Sequence, residues 1–94
     1  FGDMERQVSR IAISPGSGKS MIGIAIEKGA DVLVTGDIGH HEGLDAVEQG
    51  LCIIDAGHYG TEYIFLDDMK QFLGDRLPVL EVTAEPVIHP FQVV

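Results

Sequence analysis

Apolar positions along the chain fall into short runs separated by glycine-rich breaks. Val8, Ile11 and Ile13 predict a strand over 8–14, ending at the turn signal Ser14-Pro15-Gly16-Ser17-Gly18. Met21, Ile22, Ala25 and Ile26 then recur at helical spacing. They predict a helix from a Ser17 or Ser20 N-cap to Lys28, and Gly29 stands where a helix end favours glycine. The order repeats: a strand over 31–35, a turn over 36–39, and a helix over 40–49 with Leu44, Ala46 and Val47 inward. It repeats again with a strand over 51–55, a turn over 57–60 and a helix over 61–73. There Ile64, Phe65, Met69 and Phe72 form the inner stripe, and Asp67, Asp68 and Lys70 face out. Pro78 stops that helix, Val79 to Thr83 reads as a fourth strand, and residues 85–94, with two prolines, read as an extended tail with an edge strand in its second half as an alternative.

Strand, glycine turn and helix in this order predict right-handed βαβ crossovers, hence an α/β domain of βαβαβαβ type with a mostly parallel sheet. Near-continuous Val/Ile/Leu strands fit a sheet covered on both faces, a three-layer arrangement. One domain over 1–94 is expected, with residues 1–7 a polar connection from something upstream.

Composition narrows the function classes. A formal net charge of −9 works against binding duplex nucleic acid or an anionic membrane surface, because both need clustered Lys and Arg. No apolar run is long enough for a membrane span. The lone cysteine, Cys52, sits inside an apolar run, so it reads as a buried small hydrophobe and points to a reducing, cytoplasmic setting. An anionic small-molecule substrate would need bound cations or helix N-termini to attract it.

In a parallel sheet ligands bind outside the carboxyl ends of the strands. That rim receives residues 14–18, 35–37 with His41, and 55–62. His58 and Glu62 are four apart, so on a helix they share one face and can grip a cation together. On spacing alone a solvated pair is the commoner arrangement, and zinc, manganese, iron and cobalt are not distinguished. Asp37 and His41 repeat the four-residue spacing. Asp37 is either an acid favoured by a helix N-terminus or a general base or ligand-orienting partner. Gly18-Lys19-Ser20 is no Walker loop, since Ile13 occupies the position that motif gives to glycine. The glycine stretch is a tight turn, or else an anion site at a helix start. His40 reads as a solvated surface residue and His89 as structural or exposed.

Val34-Thr35-Gly36-Asp37-Ile38 with His41, followed by Ile54-Asp55-Ala56-Gly57-His58-Tyr59-Gly60-Thr61-Glu62, resembles the carboxyl-terminal half of the Nif-three-like family. Gly16-Ser17-Gly18 and Pro90-Phe91 fit as well. The family is often described as GTP cyclohydrolase 1 type 2 homologues or dinuclear-metal hexameric proteins. The resemblance implies one half of a duplicated two-lobe α/β fold, two divalent metal ions between the lobes, and a homo-oligomer, a toroidal hexamer. It makes His58 and Glu62 metal ligands and places Asp37 and His41 in the same cleft as proton carriers. The family's adjacent His-His pair and ligating Asp belong to an amino-terminal half outside these residues; His40-His41 is not that pair. The expectation is half of a metal-dependent hydrolase of GTP cyclohydrolase type, which retains little metal and turns nothing over without its other half. The alternative is a non-catalytic metal-binding or regulatory assembly module.

Overall fold

Three strands, β1 (Ile11–Ser17), β2 (Val32–Gly36) and β3 (Cys52–Asp55), form a parallel sheet in the order β1-β2-β3. The computed structural model describes residues 1–94. A 3-10 turn (Lys19–Met21) leads into α1 (Ile22–Glu27) between the first two strands, and α2 (His40–Glu48) lies between the second and third. Then follow α3 (His58–Tyr63) and α4 (Phe65–Arg76). The α/β class and parallel sheet are those the hydrophobic pattern predicts.

Register decides which side chains meet. Ala12 pairs with Leu33 and Leu33 with Ile53, so these three share one sheet face. That face packs on Ala25 of α1 and Ala46 of α2, with Ala30 and Leu51 completing the cluster. Both crossover helices therefore lie on one side, the geometric result of right-handed connections that step the same way across a sheet. The opposite face, bearing Ile11, Ile13 and Ile54, has no helix of this chain over it; these residues are 59%, 74% and 54% exposed. Of the expected three layers, one helical layer and the sheet are formed. Residues 1–8 run along β3: Phe1 exchanges backbone hydrogen bonds with Ile53 at 2.7 and 3.0 Å and takes its outer edge, and Gly2 lies against Cys52.

Several local expectations are corrected. The turn expected over 14–18 lies largely inside β1, as an irregularity where the register shifts between Ile13 and Ser17. Pro15 lacks an N–H, and an edge strand tolerates that gap as a bulge. Neither Ser17 nor Ser20 caps a helix. Val79 to Thr83 forms no strand: Leu80 turns back to the Leu77 carbonyl at 2.9 Å, and an apolar run without a pairing partner stays irregular. The third predicted helix starts three residues early, at His58, and is divided between α3 and α4. Ile64, Phe65 and Phe72, expected inward, are exposed, as is Leu44 of α2. The radius of gyration, 16.6 Å, exceeds the roughly 12 Å of a closely packed chain this long, because α4 and the tail project from the sheet. Cys52 is buried, as expected.

Asp31, just before β2, accepts backbone N–H bonds from Arg10 at 2.8 Å and Ser9 at 2.9 Å. These bonds, with Arg6 nearby, hold its carboxyl below the usual range. The tie is therefore present above the ordinary carboxylate pKa and is lost as pH falls through the depressed value.

Leu33, 1% exposed, lies at the centre of the packed face. Leu33→Ala is expected to cost this chain about 2–5 kcal/mol in denaturant unfolding. Ile13→Ala, on the open face, is expected to change stability by no more than about 0.5 kcal/mol. Equal losses at the two positions would contradict the one-sided core.

Candidate metal centre

The carboxyl ends of the strands converge on one lip, and Asp55 holds it together. As the last residue of β3, Asp55 accepts the Ile38 N–H on Oδ2 at 2.9 Å and the Gly57 N–H on Oδ1 at 3.0 Å. One carboxylate thereby fixes the loop carrying Asp37 and the turn that launches α3. Gly36 lets the two come close: a Cβ there would stand 2.5 Å from the His58 amide nitrogen. α3 then lies across the ends of β1 and β2, where Thr61 Oγ1 accepts the Gly16 N–H at 2.9 Å.

His58 is divided between two acids. Its Nδ1 meets Asp37 Oδ2 at 2.5 Å, and its Nε2 lies 3.2 Å from Glu62 Oε2 one helical turn on. Asp37 reaches the imidazole from a left-handed backbone conformation, φ 57°, which Asp tolerates better than most residues. With a proton on Nδ1 shared toward Asp37, the Nε2 lone pair is directed to the side where Glu62 stands. That is how a carboxylate prepares a histidine for a cation. Gly16, φ 69°, completes the arrangement: a Cβ would overlap the Glu62 carboxylate and lie 3.3 Å from His58 Nε2. Space beside the two donors is thus kept open by a bare backbone. The donor set fits a divalent cation but does not complete its shell, since no three His, Cys, Asp or Glu side chains are placed to hold one ion together.

The lip opens into a cavity of about 700 Å³, with Asp37, His58 and Glu62 at one end. Its other walls come from Tyr59 and Tyr63 of α3 and from the tail, through Val87, His89 and Phe91. The tail is held by Tyr63 Oη, which donates to the Glu85 carbonyl at 3.2 Å, and by Tyr59 Oη, which accepts the Ile88 N–H at 3.0 Å. Partial burial, with Asp67 beside it, raises the Tyr63 pKa.

Of the residues singled out from sequence, Asp37, His58 and Glu62 come together. His41 does not join them: it sits on the first turn of α2 with its ring 5.4 Å from that of His40, outside the cavity. His89 is exposed, as expected, yet it lines the cavity. In the glycine stretch Gly18 allows a close approach, since a Cβ there would overlap the Thr35 side chain. The Gly18 N–H bonds the Gly36 carbonyl at 3.2 Å, and Lys19 pairs with Glu42. Asp55, Gly16 and Thr61 appear in the sequence motifs with no role assigned to their side chains or bare backbone, because those roles depend on which loops meet in space.

A family profile described as Duf34/NIF3 (NGG1p interacting factor 3) matches residues 1–90. The chain belongs to the Duf34/NIF3 family. A Staphylococcus aureus relative in that family, named GTP cyclohydrolase 1 type 2 homolog, is 40% identical over 96 residues, covering 97% of this chain. A Streptococcus pneumoniae protein of the same name is 44% identical over 71 residues, covering 76% of the chain. The crystal structure of Staphylococcus aureus hypothetical protein SA1388 superposes over 99% of the chain with a TM-score of 0.86 at 38% identity. Reduced HcgD from Methanocaldococcus jannaschii matches 71% with a TM-score of 0.64 at 42% identity. The chain spans 26% of the length of each of the two curated relatives, 32% of the solved Staphylococcus aureus chain and 27% of the Methanocaldococcus jannaschii chain.

The Asp37 hydrogen bond, aided by Glu62, raises the His58 pKa above its ordinary 6.5 against a smaller opposing effect of burial. A raised pKa means that the stabilisation is complete below about 6.5 and is lost as pH rises through the folded value. In chelator, proton NMR is expected to show His58 titrating above 6.5 in the wild type and moving back toward it in Asp37→Asn. Identical midpoints in the two proteins would show that the Asp37 contact does not govern the ring.

Proposed function

We propose that this chain supplies half of a divalent-metal centre in a metal-dependent hydrolase of GTP cyclohydrolase type. The reading is carried by the division of His58: Nδ1 is occupied by Asp37, leaving Nε2 and the Glu62 carboxylate together over the space that Gly16 keeps clear. The names of the curated relatives support the reaction class. His58 Nε2 and Glu62 would hold the cation, one of two in the whole protein, with further ligands from outside these residues. Zinc, manganese, iron and cobalt all suit an imidazole and a carboxylate. Such a centre would supply Lewis acidity and lower the pKa of water.

The chain's own groups have separate tasks in this reading. Asp37 keeps the imidazole in one tautomer and orientation. Asp55 holds the two loops in register, so that Asp37 and His58 stay within reach. His41 stands outside the cavity, and a proton role for it requires substrate extending past the lip toward α2. No Lys or Arg lines the cavity, so an anionic substrate is held through cations or through the rest of the protein.

A second reading, an assembly module without turnover, is favoured by a separate observation. Ile11, Ile13 and Ile54 on the sheet and Phe65 and Phe72 on α4 leave much apolar surface exposed, the kind that marks contact with another protein surface. Packing against a second lobe or a second copy would bury it. In the full-length protein, titration calorimetry with zinc or manganese is expected to show Asp37→Ala weakening affinity by about 10–100-fold and His58→Ala by more. GTP turnover is expected to disappear in His58→Ala. Metal affinity lost with no turnover in the wild type would favour the assembly reading, and unchanged metal affinity in His58→Ala would overturn the metal-centre reading. The 94-residue chain alone is expected to bind either metal weakly, and tight stoichiometric binding would show that it completes its own site.

A further inference from the structure

We infer that α4 is a two-fold contact surface that packs antiparallel on the α4 of a second copy of this chain, with Phe72 on the axis. The inference rests on the assembly reading for the exposed surface alone, names what covers it, and is independent of the metal centre. It starts from the isolation of the helix. α4 has 12 residues and buries none of them. A helix of that length is marginal in water without a packed face. Phe65, Met69 and Phe72 recur at the alternating four- and three-residue steps of a helix seam, yet Phe65 and Phe72 are 57% and 48% exposed. The stripe is therefore covered by a surface from outside these residues.

The order of charges along α4 selects that surface. Asp68, Phe72 and Arg76 follow one another at four-residue steps, so an acid, an aromatic ring and a base stand in one slanting line. Turned end for end about Phe72, this line is its own complement. Asp68 of each copy then faces Arg76 of the other, and the two Phe72 rings meet between the ion pairs. The match continues outward: Ile64 and Phe65, exposed before Asp68, face Leu80 and Val79, exposed in the turn after Arg76. Self-complementarity of this kind is what a two-fold contact between identical chains requires, whereas an unrelated surface would place no such demand on the order of residues. Both charged groups are free to take part, since neither Asp68 nor Arg76 has an ion-pair partner in its own chain. The Arg76 guanidinium lies over the Phe72 ring at 3.7 Å, which sets its plane and leaves its N–H edge for a carboxylate. Two chains each carrying a net charge of −9 repel, so a contact between them needs cations set opposite acids, and Arg76 supplies one from each copy.

Charge reversal in the full-length protein, read by sedimentation equilibrium in excess chelator, tests the arrangement. Arg76→Asp and Asp68→Arg are each expected to weaken self-association about 100-fold, because like charges then meet twice across the axis. The double variant Asp68→Arg/Arg76→Asp is expected to recover association close to the wild-type value, since acid and base have only exchanged places. Phe72→Cys is expected to yield a disulfide between two copies on mild oxidation, and Lys70→Cys, on the other side of α4, to yield none. Association unchanged in both single variants would overturn the inference. So would a double variant as weak as either single one, with no Phe72→Cys crosslink, since α4 would then meet a different partner. An oligomeric wild type that the single variants leave intact would remove this contact and retain the assembly reading. No metal enters the measurement, so failure of the metal centre is read separately.

Discussion

Two hydrogen bonds from one carboxylate set the geometry of the lip. Asp55 ends β3, so the sheet itself fixes its position, and its oxygens reach backbone N–H groups on two different loops. Loops joined only at their strand ends would be free to separate. Joined through Asp55, the Asp37 loop and the Gly57 turn move as a unit, and the contact between Asp37 and His58 becomes a property of the sheet. The bonds are charge-assisted, which makes them stronger than those between neutral groups. Everything downstream, from the imidazole orientation to the open space at Gly16, inherits its placement from that anchoring.

The energetics of the chain are uneven. Its packed side is small: Leu33, Leu51 and Ile53 are nearly inaccessible against alanines that let α1 and α2 come close. The other side of the sheet and the outer stripe of α4 remain apolar and open. The sequence is patterned for burial on both faces of the sheet, and the chain buries one of them. The proposed centre is incomplete in the same way, since the two donors His58 and Glu62 would not close a cation's shell by themselves. In the proposed reading, packing and ligation would both draw on groups from beyond these residues.

The tail gives the site a second character. Its prolines keep it out of the sheet, and its attachment is through the hydroxyls of two tyrosines on α3. One short helix therefore carries the proposed ligands His58 and Glu62 along one line and an aromatic strip, Tyr59 and Tyr63, along the next. The four-residue period of the helix runs both pairs side by side.

Much of this was readable without coordinates. Apolar runs broken by glycines dictate alternating strands and helices, and the chirality of L-residues turns that alternation into a parallel sheet with one rim for all the strand ends. The four-residue spacing of His58 and Glu62 places them on one helical face wherever that helix starts. What the chain alone left open was every contact between segments far apart in sequence. The reach of Asp37 to Nδ1, the carboxylate bridge of Asp55, the space over Gly16 and the cavity wall formed by His89 and Phe91 depend on which loops and tail segments meet. The failed strand at Val79 to Thr83 and the exposed stripe of α4 have the same origin. Periodicity records which residues favour burial, but a strand or a buried face exists only where a partner is present to pair with it.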